Sequence, residues 1–160
     1  MEVKPQAEHA WLKQLVGNWT YEFECLMGPD QPPSKSTGKL VGRALGDVWV
    51  AMESQTEAPG GGTAQNVMTL GFDPVQGRFV GSFISSMMTY HWVYNGQLDA
   101  TGKVLKLDTV GPKFTEPQLV EYQDILTIVD ENHFILSSQM KGENGEWTQF
   151  MTGHHRRAQS

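Results

Sequence analysis

From Gly17 onward the chain is written in a period of two, and that alternation constrains the fold more than any other feature. In Trp19-Thr20-Tyr21-Glu22-Phe23-Glu24-Cys25 apolar side chains alternate with polar ones. A strand built from it has one dry face and one wet face. The pattern recurs after each turn signal. Gly28–Pro33 breaks it, and a weaker strand runs from Gly38 to Leu45. Gly46-Asp47 turns into Val48–Gln55, where Val48, Val50 and Met52 share a face. After a glycine-rich turn at Pro59–Gly62 come Asn66, Met68, Leu70 and Phe72 on one side. Asp73–Gly77 turns into Phe79, Gly81 and Phe83, and Met88, Tyr90, Trp92 and Tyr94 follow. Val104–Val110 leads through a Pro-containing loop (Gly111–Pro117) to Leu119–Val129. Phe134, Leu136, Ser138 and Met140 come next, and Asn144-Gly145 introduces a last strand, Glu146–Arg157.

About ten strands at near-regular spacing predict an all-β fold, an antiparallel meander barrel, as one domain over residues 1–160 with the barrel at about 18–157. The exception is Glu8–Val16, where Trp11, Leu12 and Leu15 fall at helical spacing and Gly17 can stop the helix. At about three turns it is too short to stand alone, so it must pack across one end of the barrel. Two strands carry apolar residues on both faces, Leu119–Val129 and the last one. A bulge would explain either, and so would a subunit contact in a homodimer.

The length of 160 residues suits one core. With 12 basic against 18 acidic residues the formal charge is -6, which opposes binding to nucleic acid or anionic membranes. One cysteine, Cys25, excludes an internal disulfide and a cysteine-based zinc site. Met1–Gln6 lacks the apolar stretch of a signal peptide, and no later run is long enough to span a bilayer, so the expected compartment is the cytoplasm.

A short helix, Gly17-Asn18-Trp19 opening the first strand, and an arginine on the last strand together resemble the lipocalin and fatty-acid-binding (calycin) superfamily. There the resemblance implies an arginine packed over the Trp19 ring, and Arg156 is the expected match. His9–Trp19, Gly71-Phe72-Asp73-Pro74 with Gly77-Arg78-Phe79, the Asn95-Gly96 and Thr101-Gly102-Lys103 turns, Tyr122–Asp130 and Arg156 resemble a bacterial lipocalin-like family of unknown function. His154 stands where that family leads one to expect a tyrosine. Related nitrobindin-like barrels hold haem through a histidine near the barrel's end, a region comparable to His154. The glycine-rich pattern that accompanies it is replaced by Thr20-Tyr21-Glu22-Phe23, and no haem or other cofactor is expected.

Histidines give no metal site, because His154 and His155 point to opposite faces and His9, His91 and His133 lack ligand spacing. Parity places Met52, Met68, Phe83, Met88, Tyr90, Trp92, Phe134 and Met140 on one interior. Such a lining is either a packed core or a cavity with adaptable and polar-tipped walls. The favoured reading is binding of a small, largely apolar molecule by Met52, Met68, Phe83, Met88, Tyr90, Trp92, Tyr122 and His154. The alternatives are an isomerase- or hydrolase-type enzyme using Asp124, Tyr122 or His154 in the same space, and a filled barrel serving as an interaction module.

Overall fold

The computed structural model describes residues 2–26, 28–57 and 61–159; Pro59 and Gly60 of the predicted glycine-rich turn lie outside them. Helix α1 (Ala7–Leu12) continues into a 3-10 turn, Lys13–Leu15, and the predicted helical segment ends there because Val16 is already extended. Ten strands follow: β1 (Gly17–Cys25), β2 (Ser34–Leu45), β3 (Trp49–Glu57), β4 (Thr63–Asp73), β5 (Arg78–Ser85), β6 (Trp92–Leu98), β7 (Val104–Pro112), β8 (Leu119–Asp130), β9 (His133–Lys141) and β10 (Trp147–Arg157). Each pairs antiparallel with the next, and β1 pairs with β10, so the meander closes into a barrel. The core sits in the half nearest α1, where Trp19, Leu70, Phe79, Leu105, Leu126, Phe134 and His155 are all buried.

The helix is pinned across that end by polar anchors. The Gln6 N–H donates to His9 Nδ1, which leaves His9 Nε2 as the donor to the Phe72 carbonyl at 3.0 Å. Trp11 Nε1 donates to the Gly102 carbonyl at 2.7 Å. Trp19 Nε1 donates to Leu15 O at 3.0 Å, and an arginine covers the indole, as the superfamily resemblance implied.

That arginine is Arg157 rather than Arg156. The Arg157 guanidinium lies 4.2 Å from the Trp19 ring centre and donates to the carbonyls of Gln14, Val16 and Glu131. Gly17, at φ 130°, leaves room for it, since a Cβ there would collide with Nη1. Arg156 pairs with Thr20 and faces solvent. The cause is a bulge. Gln149 pairs with Gln139 but Met151 with Ser138, so Phe150 is extra and parity inverts after it. Inward positions are even before the bulge and odd afterwards. A second irregularity, between Ile128 and Asp130, ends β8 in the same way. The bulge at Phe150 thus accounts for the last strand, whereas β8 keeps one register from Leu119 to Ile128 and carries Leu119 and Ile125 on its outer face.

Candidate binding site in the open half of the barrel

The end opposite the helix is built differently. Its inner wall carries Tyr94 on β6, Thr109 on β7, Tyr122 and Asp124 on β8, and Ser138 on β9. The register sets Asp124 beside Leu107 and Ser138, and Tyr122 beside Thr109 and Met140, so these side chains are neighbours on one face. Ser138 Oγ donates to Asp124 Oδ1 at 2.6 Å, and the Tyr94 hydroxyl donates to Asp124 Oδ2. Desolvation deep in the barrel pushes the Asp124 carboxyl above its ordinary range, against the pull of these two hydrogen bonds. Burial, together with the neighbouring carboxylate, raises the Tyr94 hydroxyl as well. Thr109 is 6% exposed, and its hydroxyl finds no partner among the described residues.

Exposure along the inner wall is graded. Leu70, Leu105, Leu107, Leu126 and His155 are 0% exposed, while Phe72, Leu98 and Ile128 towards the helix keep some surface. Towards the other end Tyr94, Tyr122 and Ser138 are buried, and Ser54, Asn66, Phe83, Met140 and Met151, on inward registers, are only half-buried. Inward residues that keep accessible surface face a lumen that water can reach.

The wall is also split there. The β6–β7 ladder runs only from Asn95–Asp108 to Leu98–Leu105. Among the described residues, Trp92–Tyr94 and Thr109–Pro112 have no ladder partners across this seam, although β5 and β8 pair with them on the far sides. Two aromatic side chains span the gap. The Tyr90 hydroxyl donates to Val110 O at 2.6 Å, and the Trp92 ring lies on Gly111, where a Cβ would fall inside the indole. A groove of about 390 Å³ follows the seam, bordered by Tyr90, His91, Val93, Asp108, Val110, Glu121 and Trp147, with Thr109 and Tyr122 at its floor. Inside, aromatic rings run edge to face from Trp92 to Tyr122 (5.0 Å) and on to Phe150 (6.0 Å).

The expected ligand residues are distributed unevenly over this site. Met52, Met68, Trp92 and Tyr122 are buried, and Phe83 is half-buried, all on inward registers. Met88 and Tyr90 belong to the rim, because the ladder begins only at Trp92 and residues 86–91 are turn and unpaired chain. Met88 is 40% exposed and accepts from Trp92 Nε1 through its sulfur. His154 is on the outer wall, opposite Glu22, with its Nδ1 2.9 Å from His133 Nε2. The inward histidine is His155, stacked on Phe134 at 4.3 Å and flanked by Tyr21 and Phe23. His155 Nδ1 lies 3.3 Å from Gly153 O, and its Nε2 is buried without a partner among the described residues. Of the residues named in the enzyme reading, Asp124 and Tyr122 are neighbours on the inner wall, with Tyr122 donating to Pro112 O at 2.6 Å, and His154 faces away.

Among the described residues no cluster of His, Cys, Asp or Glu is arranged to hold a metal, and no helix is long and apolar enough to cross a membrane. Comparison with known proteins agrees with the barrel fold. Residues 4–157 match a family described as protein of unknown function, DUF1579. The chain belongs to that family. In fold it is similar to Rv2717c from M. tuberculosis, with a TM-score of 0.69 at 17% identity, covering 98% of this chain and 100% of that one. It also resembles the S-type phycobiliprotein lyase CPES from Guillardia theta, with a TM-score of 0.65 at 10% identity, covering 97% and 94%. A third likeness is to EF1p2_mFAP2b bound to DFHBI, with a TM-score of 0.50 at 14% identity, covering 94% and 98%. No curated protein matches the sequence. For this member of DUF1579, then, chemistry has to be read from the open half itself.

Proposed function

We propose that this chain binds a small, largely apolar molecule in the open half of its barrel. The reading rests on one observation: inward-facing residues there, Asn66, Phe83 and Met140 among them, keep accessible surface around the hydrogen-bonded cluster of Asp124, Tyr94 and Ser138. Methionine and aromatic walls with a few convergent polar groups are the usual composition of a small-molecule site. The likeness to a barrel bound to DFHBI supports the reading at the level of fold.

Native mass spectrometry of the protein from its source, with a melting panel of neutral fatty acids, retinoids and aromatics, tests it. A ligand at a hundredfold excess over Kd adds about 2.7 kcal/mol, a shift of roughly 5–10 °C for a domain of this size. Trp92→Ala is expected to abolish the shift by removing a wall of the site. A panel that leaves melting unchanged, with no copurified molecule, overturns the proposal.

A further inference from the structure

The interior around Asp124 offers a negative group and no positive one. Its two hydrogen-bond donors, Tyr94 and Ser138, are both neutral. Among the described residues no lysine, arginine or histidine pairs with it. A carboxylate accepts about four hydrogen bonds, which leaves room for further donors. Diagonally across the β7–β8 ladder stands Thr109, whose hydroxyl also lacks a partner and lies on the floor of the seam groove. The groove's rim carries two carboxylates: Lys141 pairs with Glu121 at 3.1 Å, whereas Asp108 has no cationic partner among the described residues. Tyr90, Trp92 and Tyr122 supply aromatic rings, whose faces attract cations. The chain's formal charge of -6 draws cations towards it from a distance. An anion would meet like charge at the rim and again at Asp124. A neutral apolar molecule would leave Asp124 and Thr109 as they are.

We propose that the groove between β6 and β7 admits a small organic cation, a primary amine on an aromatic or branched apolar body, whose ammonium lodges between the Asp124 carboxylate and the Thr109 hydroxyl. The proposal rests on the ligand-binding reading above and names the ligand's class. An ammonium has three donors, enough to reach both groups, and it supplies the charge that Asp124 lacks. The apolar body then lies against Trp92 and Tyr122, and Tyr90 and Trp92 must swing aside to let it in.

The test compares phenethylamine with 2-phenylethanol, which differ chiefly in an ammonium against a hydroxyl, by calorimetric titration of the full chain at neutral pH. The amine is expected to bind at least about tenfold more tightly, a difference of about 1.4 kcal/mol. Asp124→Asn is expected to bring it down to the alcohol's level. Thr109→Val, nearly isosteric and missing only an unpartnered hydroxyl, is expected to weaken the amine several-fold, and it decides the matter if Asp124→Asn does not fold. Equal affinities in the unmodified protein overturn the cation site and leave the ligand-binding reading standing. An amine preference that survives both substitutions overturns it as well. If neither probe binds, the cation site is wrong, and the neutral panel alone decides whether the barrel takes a ligand.

Discussion

The two ends of this barrel are made from the same ten strands, yet they solve opposite problems. At the helix end every feature reduces freedom. Trp19 is covered by Arg157, the guanidinium is spent on three backbone carbonyls, and Leu12, Leu15 and Trp19 are closed to solvent. At the far end the ladder between β6 and β7 parts, inner residues keep accessible surface, and Thr109 is left unpaired among the described residues. The first half holds the fold. The second carries a parted ladder and a hydrogen-bonded polar cluster on its inner wall, and such departures concentrate where proteins bind. Five substitutions, one of them read against pH, test that division, from the largest expected effect to the smallest.

Trp19→Ala is expected to cost about 3–5 kcal/mol in urea denaturation, the usual range for an aromatic core truncation. Trp92→Ala is expected to cost less than half as much, because its ring bridges a gap and is not enclosed by a core. Equal losses would erase the distinction between the halves.

Acid separates the halves by sign. Burial pushes the His155 imidazole down to about 4, so between about pH 6.5 and pH 4 the unfolded chain takes up a proton that the folded chain refuses. The neutral-pH stability tied to His155 is therefore lost as pH falls through that window, by about 3 kcal/mol in all. Asp124 behaves in reverse: its folded pKa is raised, so its contribution is present at low pH and is lost as pH rises through that value. His155→Phe, which keeps a ring against Phe134, is expected to flatten the acid limb of a stability–pH profile. A profile unchanged by that substitution would refute the assignment.

Gly111→Ala places a methyl where the Trp92 ring now lies. It is expected to cost about 1–3 kcal/mol as an overpacked site, with red-shifted tryptophan emission and faster amide exchange at residues 92–94. Thr109→Val gives the smallest effect and the opposite sign. Replacing an unpartnered hydroxyl by a methyl is expected to raise stability by about 1 kcal/mol, measured by chemical denaturation. A loss of stability instead would mean that the hydroxyl is satisfied in solution.

Much of this was legible in the sequence, for a reason that also explains the failures. Period-two alternation reports which residues share a face, and it places Met52, Met68, Phe83 and Trp92 on one wall, where the register puts them. It fails wherever one extra residue enters a strand. Phe150 is such a residue, and it exchanged Arg156 for Arg157 and His154 for His155. Nothing local marks it, because a bulge is fixed by the neighbouring strand's register. Met88 and Tyr90 were misplaced for another reason: alternation continues in sequence beyond the point where the ladder stops. Asp124 could be suspected from its place beside Tyr122. Its partners, Tyr94 and Ser138, lie 30 and 14 residues away, and only barrel closure brings all three together.

The pairing of β1 with β10 also has a consequence in time. Trp19 and Arg157 sit at opposite limits of the barrel's sequence, so the contact that covers the indole joins one of the first strand residues made to one of the last. Contacts of such long range form slowly, because a large loop must close before they return any free energy. Without β10 in place, β1 and β9 would each present an unpaired edge to other chains. The vulnerable period in this protein's life is therefore the interval between making β9 and seating β10, and Arg157 marks its end.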